Sequence, residues 1–317
     1  MKTLKKTLKW AFRILVVLII GILIYGTITQ SSYNKKLVKE FKPNGKLVDL
    51  TSGQLHYKLI GNGEFTFVLE AGLGENMETW SKIQDSLSRI GRIFMYDRAG
   101  LGFSKTNSEP RTTKQIAQEL NELLNKEKIP GPYIMVGHSI GGAHIRYFAN
   151  AFPNDIVGLF LIDPSHEKMW DDAPSPSLFE KFLNFSLVNL SWSGIPYYLL
   201  PEPPHPTYKT SKSIKAYGKE RAAIAESINL FKSANVNLSS LPIYILSATA
   251  TDGDYKERSL ALMKELINHS KSNIKEHKVY DKPHHIHVTD PKIVIADLKE
   301  FTNRIFNKTT VAKNEYN

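Results

Sequence analysis

The hydrophobic pattern divides the chain into three stretches of different character. From Ile14 to Ile28 the residues are apolar and uncharged, and Trp10, Ala11 and Phe12 extend that run across Arg13. A membrane-spanning helix needs about 20 mostly apolar residues, so positions 10–29 are predicted to span a bilayer if Arg13 reaches back to the headgroups. Polar and basic residues over 30–44 then read as a short tether. From residue 45 short apolar runs begin to alternate with segments of helical period. Strands are predicted at 45–50 and 54–60, as a hairpin turning at Ser52–Gly53, and then at 65–70, 92–96, 133–136 and 157–162. Helices are predicted at 77–89, 112–127 and 140–151, where apolar residues recur every three to four positions.

The alternation breaks over about 165–240, where aromatics and prolines are frequent and no strand pattern stands out. It resumes with strand 243–247, helix 255–269, strand 274–280 and helix 291–306, before a polar tail at 307–317. Strands that alternate with helices imply a mostly parallel sheet covered on both faces. The expected organisation is therefore one α/β domain over 45–306. The irregular stretch would form a helical cap over the carboxyl edge of its sheet.

Charge sharpens the reading of the first segment. The net charge is +10, and half of it comes from Lys2, Lys5, Lys6, Lys9 and Arg13, ahead of the apolar run. Basic residues stay on the cytoplasmic side, so residues 1–9 are expected inside the cell and the domain outside, on a single-pass cell-membrane protein. A cleaved signal peptide leading to a secreted enzyme is the alternative. It is disfavoured because TITQSSYNKK offers no small-x-small cleavage site. The remaining charge is dispersed, which argues against a nucleic-acid partner. The chain has no cysteine, which excludes disulfides, thiolate metal sites and a thiol nucleophile.

The candidate chemistry centres on Gly137-His138-Ser139-Ile140-Gly141. A G-x-S-x-G segment between a buried strand and a helix presents its serine hydroxyl on a sharp, strained turn. The helix that begins at Ile140 offers its backbone N–H, aided by the helix dipole, to a developing oxyanion. The loop in EAGLG at 70–74 supplies a second candidate donor, Leu73 N–H.

Five ordered motifs carry a family resemblance: VLEAGLG (68–74), YDRAGLGFS (96–104), VGHSIGG (136–142), LIDPSHE (161–167) and HHIHVTDP (284–291). Over about residues 46–306 the chain resembles the α/β-hydrolase family, nearest its serine esterase-like members with a cap insertion. The resemblance implies the order nucleophile, acid, base. It places the base at His284, counted back from Pro291, with His285 as the fallback and His287 as a further neighbour. The acid is expected at Asp163, after the strand 157–162, with Asp252 and Asp254 in the later loop as alternatives. Asp97 and Arg98 are expected to brace a strand end. Serine at the elbow separates this chain from members that use an aspartate there for epoxide or haloalkane chemistry.

The expected activity is hydrolysis of carboxylic esters or related acyl compounds through an acyl-enzyme, on a small-molecule or lipid-like substrate. No cofactor is expected, and no metal, because no carboxylate is arranged in sequence with His284, His285 and His287. An aminopeptidase or amidase of the same fold would need an acid in the cap to hold an amine, and Glu167, Asp171, Asp172 and Glu180 are available. A non-catalytic surface binding protein is the reading from another class.

Overall fold

The computed structural model describes residues 2–171, 176–200, 206–234, 236–250 and 254–314. Its centre is an eight-stranded sheet: β1 (Lys46–Leu50), β2 (Gly53–Ile60), β3 (Thr66–Glu70), β4 (Arg92–Asp97), β5 (Tyr133–His138), β6 (Ile156–Ile162), β7 (Ile243–Ala248) and β8 (Lys275–Tyr280). The strands lie in the order β1-β2-β4-β3-β5-β6-β7-β8. β1 and β2 form an antiparallel hairpin, and β2 pairs antiparallel with β4. From β4 to β8 every pairing is parallel.

Side-chain alternation explains why both faces are covered. Val68, Met135, Leu159 and Leu161 point to one face, packed with α3 (Thr113–Lys126), α4 (Ile140–Ala151) and α9 (Asp254–His269). Phe67, Leu69, Ile134, Val136 and Phe160 point to the other, packed with α2 (Ser81–Leu87) and α11 (Pro291–Asn314). A strand buried on both sides must be apolar at every position, which is why YIMV and LFLI read as unbroken runs.

Between β6 and β7 the chain builds α5 (Leu178–Asn189), α6 (Ile195–Leu199), α7 (Ser211–Ala222) and α8 (Ile224–Ser233). Helix α7 lies over the loops that follow β3 and β4. A methyl group added at Gly74 would meet the Tyr217 ring, and one at Gly100 would meet Ala216.

One expectation is corrected. The first helix, α1, does not give way to a tether at residue 30; it runs unbroken over Lys2–Glu40. Its later turns are held by partners distant in sequence: Gln30 Nε2 donates to Lys209 O at 3.0 Å, and Asn34 Nδ2 to Ser211 Oγ at 2.8 Å. At the other end, α11 runs on as helix through the first residues of the polar tail, to Asn314. Helix α1 carries an apolar stretch long enough to cross a membrane, with Ile14, Val17, Leu18, Ile22 and Ile24 exposed.

Candidate active site

Ser139 sits where β5 ends and α4 begins, with φ +54°. A β-carbon in that left-handed region is strained, and the cost is met by the surrounding bonds. Ser139 N donates to Ile162 O at 3.0 Å, and Ser139 O accepts from Gly142 N and Ser165 N. The turn also requires close approach of α4 to β3. A methyl group on Gly141 would stand 2.4 Å from Glu70 O and 2.6 Å from Ala71 O, so only glycine fits.

Asp163 follows β6 and also has positive φ, +41°. Its N–H donates to Leu246 O at 2.6 Å and its Oδ1 accepts from Ala248 N at 3.1 Å. The backbone of β7 thus fixes the carboxylate, whose Oδ2 lies 2.5 Å from His284 Nδ1. A carboxylate accepts, so Nδ1 carries a proton, and in the neutral imidazole that leaves Nε2 with the lone pair. His284 comes from the loop between β8 and a short helix, α10 (Ile286–Thr289). Ser139, Asp163 and His284 line one cavity of about 150 Å³, together with Lys256 and Ser259. Asp252 lies outside the described residues. Asp254 begins α9, and the bond described for His284 Nδ1 is to Asp163.

The loop after β3 has most of its amides engaged. Gly72 N donates to Glu75 Oε2, Gly74 N to Glu220 Oε2, both at 2.9 Å, and Glu75 N to Gly72 O. Among the described residues Leu73 N–H takes no such acceptor. At the other side, Ile140 N–H opens α4, where the first amides have no partner within the helix.

Arg98 holds this loop from behind. Its guanidinium donates to Ala71 O and Gly72 O, to Glu70 at 2.7 Å and to Glu220 at 2.7 and 2.9 Å, all buried. Burial disfavours its charge, but Glu220 and then Glu70 outweigh that and hold its pKa above the ordinary range. Asp97 accepts from Met77 N and Phe103 N and pairs with His56. Both residues act on loop geometry.

The rings of His284, His285 and His287 all lie against that of His138, and Glu75 reaches into the cluster. Glu75 Oε2 lies 3.3 Å from His138 Nδ1, and Oε1 lies 2.8 Å from His285 Nε2. Burial alone would raise the pKa of Glu75, but His138 and His285 hold it well below the carboxylate range. The hydrogen bond to Glu75 raises His285, and burial lowers His138. His287, fully buried, bonds Thr79 Oγ1 at 2.8 Å and is held well below its ordinary pKa by burial. The expectation that no carboxylate accompanies the late histidines is therefore corrected. Glu75, His138 and His285 bring metal-ligand atoms within 4.8 Å of one another. Gly72 N–H donates to Oε2 and His285 pairs with Oε1, so the same residues tie three loops together by hydrogen bonds. Glu75 and Glu220 carry no sequence signal of their own. His138 stands inside the elbow motif, but nothing in the motif specifies its side-chain partner.

Known proteins share this architecture. A family model described as the alpha/beta hydrolase fold matches residues 66–192. The protein YqjL of Bacillus subtilis is 26% identical over 238 residues, covering 72% of this chain and 83% of its own. Among solved structures, the Cif epoxide hydrolase from Acinetobacter nosocomialis superposes with a TM-score of 0.69 at 16% identity, covering 87% of this chain and 96% of its own. A candidate lipase from Acinetobacter baumannii gives 0.61 at 16% identity, covering 87% and 97%.

Proposed function

We propose that this chain, an α/β hydrolase by fold and by family-model match, is a serine hydrolase that cleaves carboxylic esters through an acyl-enzyme. The observation that carries the reading is the Asp163–His284 pair opening on the same cavity as Ser139. Ser139 Oγ attacks the acyl carbonyl carbon while His284 Nε2 takes its proton. Asp163 keeps Nδ1 protonated and stabilises the imidazolium that results. The oxyanion is received by the N–H groups of Leu73 and Ile140, fixed donors of the kind that contribute about 10²–10³ in rate each. The imidazolium then protonates the leaving alcohol. Water, activated by the same nitrogen, releases the acid.

Ester chemistry is favoured over an amine-directed peptidase by what the acids of the insertion do. Glu167 pairs with Arg146 at 3.0 Å, Asp171 pairs with Lys232, and Glu180 caps α5 through Ser177. Asp172 lies outside the described residues. The cavity instead presents Lys256, which suits a neutral or anionic substrate and repels an ammonium group. A volume of about 150 Å³ accepts a short acyl group. A longer chain has to extend out of it.

Helix α1 is read as a retained single-pass anchor with the domain extracytoplasmic. Buried Gln30 and Leu37 support retention, because removal of α1 would expose the surface they cover. The test of function is a series of p-nitrophenyl esters of increasing acyl length. Turnover of the shorter esters, lost in Ser139→Ala, is expected; no turnover of any ester by the wild type contradicts the reading.

A further inference from the structure

Helix α5 turns its apolar side outward. Phe179, Phe182 and Phe185 are 63%, 51% and 56% exposed, and Leu178 is more exposed still. Leu178, Phe182 and Phe185 fall on one side of the helix, with Phe179 at its edge, while Leu187 faces the domain. Trp192, Tyr198 and Leu199, on segments that pack beside α5, are also exposed. Trp192 Nε1 is satisfied by Asn189 O at 2.9 Å, so its ring is free to meet an apolar medium without stranding a donor. So many large apolar side chains exposed on neighbouring elements mark a surface that docks on something.

The adjoining helix identifies what covers it. Leu23, Gly26, Gln30, Tyr33 and Leu37 recur at intervals of three and four along α1 and form its docked side. At Gly26 the two backbones touch: a methyl group there would stand 1.9 Å from Ser193 O, so α1 can lie this close only as glycine. Tyr33 meets the Tyr197 ring edge-on at 5.3 Å. Along the chain the segment that meets Gly26, Ser193–Gly194, is flanked by Trp192 before it and by Tyr197 and Tyr198 after it.

Depth follows from helix geometry. Residues 10–29 rise about 30 Å, the thickness of a hydrocarbon core. Gly26 is three residues from the outer end of that span, roughly 4–5 Å inside it. Ser193 therefore stands at the level of the headgroup boundary, where tryptophan and tyrosine are enriched. We infer that the outward side of α5, with Trp192 and Tyr198, lies in the outer interface of the bilayer that α1 crosses, so that the insertion rests on lipid. This rests on α1 being the retained anchor. It also gives the substrate class: an ester amphiphilic enough to reach the site from the membrane surface.

The chain has four tryptophans, and Trp80 is fully buried. The full-length protein, with Trp10 and Trp170 changed to phenylalanine, is reconstituted into phosphatidylcholine–phosphatidylglycerol vesicles. The lipids carry bromine near the headgroup or near the chain terminus. Loss of most Trp192 emission is expected with the former and little loss with the latter. Replacing Phe179, Phe182 and Phe185 together by serine should abolish that quenching. A sister protein that keeps Trp10 and carries Trp192→Phe reports on α1 alone. Quenching of Trp10 without quenching of Trp192 means that the domain stands clear of the membrane, and overturns the inference while sparing the anchor. Quenching of neither overturns both.

Discussion

Asp163 and His284, 121 positions apart, meet at 2.5 Å. Each lies just past the carboxyl end of a strand, β6 and β8, and the strand between them, β7, supplies the amide of Ala248 to the other oxygen of Asp163. The pair depends on sheet order: β6, β7 and β8 must be neighbours for these loops to converge. Asp163→Asn should keep this geometry but present an amide that can donate, favouring the wrong imidazole tautomer. A fall in kcat of about 10³–10⁴ is expected, with the fold intact by circular dichroism. Asp252→Asn should change kcat by less than about threefold, since most substitutions away from a site act weakly. The reverse ranking would move the acid to the later loop.

Arg98 offers a test of how the insertion supports the site. Removing it by Arg98→Ala leaves Glu70 and Glu220 buried without their counter-charge. Loss of one partner from a buried network costs about 3–5 kcal/mol, measurable by urea denaturation. Glu220→Gln should be milder, because it keeps an acceptor for Gly74 N–H. A wild-type-like denaturation curve for Arg98→Ala would show that this network carries no stability.

Gly141→Ala places its methyl group against Glu70 O and Ala71 O at the base of the oxyanion loop. Overpacking costs about 1–3 kcal/mol where side chains can give, and against two backbone oxygens the cost lies at or above the top of that range. The strain falls on the loop that offers Leu73 N–H, so kcat should drop with KM little changed. Unaltered kcat would separate the loop from oxyanion binding.

His144 sets an acid limit on stability. It is buried beside Thr113, and burial lowers its pKa from 6.5 to about 3. A histidine depressed in the folded state binds its proton more readily when unfolded. Its contribution is therefore intact above pH 6.5 and is lost as pH falls toward 3, by several kcal/mol at most, at about 1.4 per pH unit. Stability measured between pH 7 and 4 should decline, and His144→Gln, which cannot titrate, should make the decline shallower. Equal slopes in the two proteins would exclude His144 as the cause.

Local pattern reveals the parts of this protein that local physics determines. Ser139 is legible because an exposed nucleophile needs a strand, a tight turn and a helix in immediate succession, and glycines mark that turn. The buried strands are legible because a parallel sheet covered on both faces demands unbroken apolar runs. Glu75 and Glu220 are not legible, since what they do depends on partners 63 and 146 residues away. The segment after residue 30 misleads for the same reason. Gln30 and Asn34 look like tether residues until Lys209 and Ser211 are brought against them.

The central claim is that Ser139 is a nucleophile activated by His284. Labelling with a fluorophosphonate probe, read by mass spectrometry of the modified peptide, tests it directly. The wild type should be labelled at Ser139, His284→Ala should label far more slowly, and Ser139→Ala not at all. Labelling that persists in Ser139→Ala, or a wild type that does not react, would contradict the account.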